Sequence, residues 1–289
     1  MSKMVHLISG HQMPIIGFGT YKIQGYDLIY TVLEAALAAG YRSIDTASVY
    51  RNESDIGKAL KILLPKYNLE RKDIFITSKL GPSEQGKGNA KAALLGSIQR
   101  LDCEYLDLYL IHWPGTSQYQ PKDEHNRQLR KESWLDMEEA FKQGKVKSLG
   151  ISNYLTRHIE ELLSYCTVKP SVLQTEYHPH LIQADVKKTC DKHNILLQAY
   201  SSLGTTSSKE LISDPKVVEI AKQCQKSPAQ VLLCWAVQQD IGVLPKSTNP
   251  SHIRDNFDVF SFSLTSKQME ELSHLNKEAH YCWDPSKVA

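Results

Sequence analysis

The sequence predicts one α/β domain, a (β/α)8 or TIM barrel with an N-terminal β-hairpin. Short apolar runs alternate eight times with amphipathic stretches, the pattern of repeated βαβ units around a parallel sheet. The alternation fills most of 289 residues, a length that suits such a barrel. No linker rich in Pro, Gly or Ser interrupts it, so a single domain is expected over 1–289. An open doubly wound sheet fits the same periodicity, because strand order cannot be read from it.

The elements follow in order. Residues 5–14 hold two short runs around Gly10 and read as a hairpin placed to plug the barrel floor. Barrel strands are expected at 16–19, 43–45, 74–79, 106–112, 146–152, 172–177, 196–200 and 242–245. Between and after them, helical stretches are expected at 28–39, 54–64, 90–101, 131–142, 156–164, 184–193, 215–224 with 228–238, and 251–256. The tail adds a helix at 266–275 and an extended end through Trp283.

Bulk composition narrows the function classes. A net charge of +2, with no block of Lys or Arg, argues against a nucleic-acid partner. No apolar stretch approaches the roughly 20 residues of a membrane span, and the start Met1-Ser2-Lys3-Met4 lacks a signal core. Six scattered cysteines without a CxxC pair imply reduced thiols and a cytoplasmic protein.

Four polar groups cluster by topology. Asp45, Lys79 and His112 close the second, third and fourth strand-like runs, and Tyr50 lies in the loop after Asp45. Reacting groups in a barrel sit at such strand ends, and neighbouring strands are about 4.8 Å apart. A free tyrosine has a pKa of about 10. A nearby ammonium lowers it, and a carboxylate keeps that ammonium charged. An imidazole can orient a carbonyl oxygen or share the proton. Tyr50 is therefore a candidate general acid.

These motifs carry a family resemblance. Gly40-Tyr41-Arg42-Ser43-Ile44-Asp45-Thr46-Ala47, continued by Tyr50, Asn52-Glu53 and Gly57, resembles a signature of the aldo-keto reductases. Ile111-His112-Trp113-Pro114, Gly150-Ile151-Ser152-Asn153-Tyr154 and Leu244-Pro245-Lys246-Ser247 are similar to further family segments, in family order. The resemblance implies the (β/α)8 barrel, a nicotinamide cofactor, and reduction of aldehydes or ketones. It assigns a catalytic tetrad to Asp45, Tyr50, Lys79 and His112, and needs no metal. It implies a monomer.

It also implies where NADPH lies. Ser152, Asn153 and Gln174 would bond the carboxamide, and Tyr200 would stack on the ring. Ser201, Ser202, Leu203 and Gly204 would follow the pyrophosphate, with Thr20, Ala229 and Asn256 completing the set. Lys246, Ser247 and Thr248, just before a helix start, form a phosphate site on their own chemistry; the resemblance makes its ligand the 2′-phosphate. An arginine is usual where His252 stands. Histidine lacks the planar guanidinium fork, so NADPH is expected to be preferred by a reduced margin, with NADH tolerated. Tyr21, Val49, Trp113 and Trp283 would line the carbonyl site. The short segment after Tyr200 and the short tail resemble the compact glyoxal and diketogluconate reductases, which implies an open mouth and small reactive aldehydes or dicarbonyls.

Two other functions are weighed. A noncatalytic nicotinamide-binding barrel would keep the fold, but the full tetrad argues for turnover. A hydrolase using Asp45 and Glu53 lacks a carboxylate pair at matching strand ends. Gly81–Gly88 nearly spells a P-loop but has Gly88 where a hydroxyl is required. His178-Pro179-His180 lacks a third metal ligand at suitable spacing, and Gly17-Phe18-Gly19 does not complete a dinucleotide fingerprint.

Overall fold

The apolar runs pair in strict chain order. A computed structural model describes residues 3–205 and 208–289. Its parallel strands are β3 (Phe18–Gly19), β4 (Ser43–Asp45), β5 (Phe75–Leu80), β6 (Leu108–Ile111), β7 (Leu149–Ser152), β8 (Val172–Glu176), β9 (Leu196–Tyr200) and β10 (Gly242–Val243). Ile16 bridges Val243 in parallel. Gly17 N–H donates to Val243 O at 2.9 Å, and Val243 N–H donates to Ile15 O at 2.9 Å. The first strand therefore meets the last, and the sheet closes. This joint separates a barrel from an open sheet.

The hairpin β1 (Met4–His6) and β2 (Gln12–Pro14) is antiparallel, with Val5 opposite Met13. Leu7 and Met13 pack with Phe75, Leu108, Leu110 and Val172 inside the strand ring. These contacts put the hairpin under the barrel as a floor.

Helices α1 (Tyr26–Ala39), α2 (Glu53–Lys66), α3 (Asn89–Arg100), α4 (His125–Lys142), α5 (Thr156–Leu163), α6 (Ala184–His193), α7 (Pro215–Cys224), α8 (Pro228–Val237), α9 (Pro250–Phe257) and α10 (Ser266–Ser273) accompany the strands. In α1 the buried residues Ile29, Val32, Leu33, Ala36 and Leu37 form one stripe, the helical spacing that packs a helix on a sheet. Helix α4 starts six residues before the expected 131. Its first turns are polar and show no apolar period, yet Asn126 and Arg130 are fully buried there. The buried face is held by hydrogen bonds rather than by hydrophobic contact.

Gly57 in α2 faces the end of α3. A methyl group added there would stand 2.5 Å from Leu101 O and 3.0 Å from Arg100 O. Glycine-to-alanine normally favours a helix by about 1 kcal/mol. Here backbone blocks the methyl, so Gly57→Ala should destabilise by about 1–3 kcal/mol. The check is a lower urea midpoint at unchanged m value.

Candidate active site

Strand register brings the tetrad together. Asp45 ends β4 and pairs with Thr77, two residues before Lys79 on β5. Lys79 Nζ donates to Asp45 Oδ1 at 2.5 Å, to Thr46 O at 2.8 Å and to Tyr50 Oη at 3.4 Å. A 3-10 turn, Ser48–Tyr50, delivers the phenol. Arg51, at φ 56, reverses the chain after it.

Asn52 ties this loop down. Its Nδ2 donates to Thr20 O at 3.0 Å and Ile23 O at 3.1 Å, and its Oδ1 accepts from Thr46 Oγ1 at 2.6 Å. The Thr20 hydroxyl donates to Asp45 O at 2.8 Å, so Thr20 braces the acid. Gln174 Nε2 donates to Asp45 Oδ2 at 2.8 Å and to Gln198 Oε1 at 2.9 Å. Both oxygens of the buried carboxylate are thus satisfied, which an ion pair in a low-dielectric site requires.

The electrostatics differ from expectation at one point. Lys79 was expected to lower the pKa of Tyr50. Instead burial first, and then the Asp45 carboxylate, hold Tyr50 well above its ordinary value. The phenol is thus a fully loaded proton store at neutral pH. Lys79 is lowered by burial, with the Asp45 carboxylate opposing. His112 is pushed well below the usual histidine value by burial and then by Lys79. Its ring is neutral, and Nδ1 has no hydrogen-bond partner among the described residues. We expect no His112 midpoint between about pH 6 and 8, where an ordinary histidine titrates. Histidine ring NMR checks this, and a midpoint near 6.5 would contradict the geometry.

The mouth is aromatic and open. Tyr21 lies 5.0 Å from Tyr50, and His112 stacks on Trp113 at 5.9 Å, centroid to centroid. Trp113 meets Trp283 edge-on at 4.6 Å. A cleft of about 340 Å³ runs beside this pair, walled by Pro82, Thr116, Pro121 and Val288. Tyr21 is 56% exposed, Val49 45% and Trp283 47%. Tyr21 thus stands beside Tyr50, Trp113 beside His112 and Trp283 beside Trp113, while Val49 directly precedes Tyr50 in its turn.

The residues expected at the cofactor lie around the far strands. Ser152 ends β7 opposite Gln174 of β8. Asn153 holds φ 62; its Nδ2 donates to His112 O at 2.9 Å, and its Oδ1 accepts from Tyr200 Oη at 2.6 Å. Ser201, Ser202, Leu203 and Gly204 follow β9 directly, with Gly204 at φ 80. Lys246 and Ser247 are half-buried and Thr248 is exposed before the α9 N-terminus. Lys246 has no carboxylate partner among the described residues, so its charge is available to a phosphate. On α9, Asn256 is buried while His252 is exposed. Ala229 is half-buried in the first turn of α8.

Other readings lose their groups. Glu53 is buried and holds Ser78 Oγ at 2.5 Å and Arg100 Nε at 2.6 Å, so it is not free to act as a hydrolytic acid. The P-loop-like segment turns its N–H groups away from any phosphate. Lys87 N–H donates to Glu132 Oε2 at 3.1 Å and Gly88 N–H to Asp136 Oδ2 at 2.6 Å. His178 is bonded to Glu176 at 3.1 Å and His180 to Asp214 at 3.1 Å. The six cysteines are unpaired.

Gln198 and Glu176 are not singled out from the sequence, and Asn52 enters it only as part of the family signature, with no role assigned. Gln198 did carry a signal, as a polar residue inside the otherwise apolar run Leu196–Ala199.

The aldo/keto reductase family model matches residues 15–277. The chain belongs to the aldo/keto reductase family. It is 36% identical over 284 residues to the glyoxal reductase of Bacillus subtilis (strain 168), covering 98% of this chain and 96% of that protein. It is 37% identical over 298 residues to the aldo-keto reductase family 1 member A1 of Xenopus tropicalis, covering 95% of this chain and 89% of that one. An aldo-keto reductase from a Medee basin deep-sea metagenome library superposes with a TM-score of 0.89 at 34% identity, over 99% of this chain and 100% of that chain. This aldo/keto reductase thus matches its relatives along nearly its full length. No helix among its described residues is long and apolar enough to cross a membrane.

Proposed function

We propose that this chain reduces small reactive aldehydes and dicarbonyls to alcohols with NADPH, Tyr50 being the proton donor. The observation that carries it is the Tyr50 hydroxyl, 3.4 Å from an ammonium that Asp45 holds at 2.5 Å, at the open end of a barrel. The nicotinamide, held by Ser152, Asn153, Gln174 and Tyr200, would supply the hydride that the carbonyl carbon accepts. As the carbon–oxygen π pair moves onto oxygen, Tyr50 and His112 point hydrogen bonds at it. Tyr50 then gives its proton to that oxygen, and Lys79 stabilises the phenolate left behind. Neutral His112 can orient the carbonyl without competing as an acid. Lys246, Ser247 and Thr248 would hold the 2′-phosphate. The open mouth and the match to a glyoxal reductase support small substrates.

Loss of absorbance at 340 nm with NADPH and glyoxal tests the reading; no turnover on any small aldehyde would sink it. His252 lacks the guanidinium fork, so the kcat/KM ratio of NADPH to NADH should stay below about ten thousand, roughly 5.5 kcal/mol. His252→Arg should raise that ratio by about tenfold, by adding a charge-assisted phosphate contact.

A further inference from the structure

The tail crosses the barrel mouth as a strap, and a buried carboxylate grips the backbone of its near end, where His180 also meets Tyr281 Oη at 2.6 Å and Ser201 Oγ meets Cys282 Sγ at 3.2 Å. Glu176 is the last residue of β8 and only 2% exposed. Its Oε1 accepts from Tyr281 N–H at 2.7 Å, and its Oε2 accepts from Cys282 N–H at 3.2 Å. His178 Nε2 lies 3.1 Å from Oε1, and His280 Nδ1 lies 3.4 Å from Oε2. Beyond the span, Arg157 donates to Ser286 O and Val288 O at 2.8 Å. Trp283 lies between these anchors, immediately after the two N–H groups that Glu176 grips, and meets Trp113.

We infer that Glu176 is a positioning residue for substrate selection: it fixes Trp283 against Trp113 and so sets the aromatic wall of the carbonyl site. No residue of the tetrad hydrogen-bonds the Glu176 carboxylate, whose partners are His178, His280 and the N–H groups of Tyr281 and Cys282. Two backbone N–H groups on consecutive residues, bound to the two oxygens of one carboxylate, fix the path of the backbone into residue 283. Charge-assisted bonds of this kind are among the stronger ones. A wall held this way favours flat carbonyls that stack on tryptophan, and matters less for a two-carbon dicarbonyl that never reaches it.

The inference rests on the carbonyl-reductase reading, and its test separates the two. Benzaldehyde and glyoxal are compared with NADPH in Glu176→Gln, which keeps one acceptor oxygen, and Glu176→Ala, which removes both. The benzaldehyde-to-glyoxal ratio of kcat/KM should fall about tenfold in Glu176→Ala, through KM rather than kcat, and by less in Glu176→Gln. Trp283→Ala should reproduce the fall, and adding Glu176→Ala to it should change the ratio no further. Equal losses on both aldehydes, or additive effects, overturn the inference.

Acrylamide quenching reads the strap without turnover. Trp134 and Trp235 are fully buried, so quenchable emission comes from Trp113 and Trp283. Quenching should rise in Glu176→Gln, the variant that best preserves folding; unchanged quenching there also overturns the inference. A wild-type chain that reduces neither aldehyde would remove the proposed function, while the quenching result would still decide the strap.

Discussion

Exchanging Tyr50 for phenylalanine lowers kcat for aldehyde reduction by about two to four orders of magnitude, the span a positioned general acid contributes. The change is small in every other respect. The ring stays, with its packing against Tyr21 at 5.0 Å and against His112 at 5.7 Å. The backbone carbonyl of Tyr50 keeps its bond from Gln24. The hydroxyl's bond from Lys79 is long, at 3.4 Å, so stability should change by no more than about 1 kcal/mol. KM should move little, because the lost hydrogen bond strengthens mainly as charge develops on the carbonyl oxygen. The measurement is steady-state turnover at 340 nm beside a thermal melt. A variant that keeps more than a tenth of wild-type kcat would remove Tyr50 as proton donor and leave His112, its aromatic neighbour, to be tested next.

How much of this was legible beforehand differs by level. The barrel's alternation was readable because strands such as β6 are buried throughout, and such strands read as continuous apolar runs. The four tetrad residues were readable because each is a polar group at or just past the end of such a run. Closure was readable only through the family resemblance and not from periodicity, because the joint is a bridge from Ile16 to Val243 across the whole chain. Nor was the pKa of Tyr50. The ammonium and carboxylate were both foreseen, but burial and the carboxylate raise that value and the net direction follows from depth. The start of α4 was missed for a related reason: Arg130 is buried against Glu161 and the carbonyl of Ala289, and a charged residue signals solvent to any pattern of hydrophobicity. Glu176 escaped because its partners are backbone N–H groups of residues 281 and 282, about a hundred positions away in sequence.

Replacing Lys79 with methionine should be the most damaging single change to both fold and activity. Methionine has nearly the length of lysine, so packing is kept while the charge goes. Lys79 is 0% exposed and Asp45 4%, and removing one partner of a buried pair costs about 3–5 kcal/mol, because the other charge is left uncompensated. Gln174 still donates to Asp45 at 2.8 Å, which keeps the loss toward the lower end. The stranded carboxylate can relieve itself only by binding a proton. The sign follows: the folded variant then holds a proton that the unfolded chain at neutral pH does not, so its stability should fall as pH rises. Its melting-temperature deficit against wild type should therefore narrow as pH is lowered from about 7 to 5. Activity should fall by about two orders of magnitude or more at any pH, since the phenolate formed at Tyr50 loses the cation beside it. Adding Asp45→Asn separates the two effects. The neutral pair should recover most of the lost stability, as buried ion pairs replaced by neutral groups of similar shape often do, while turnover stays low. Recovery of activity along with stability would mean that Lys79 serves the barrel alone, and that the proton chemistry at Tyr50 does not depend on it.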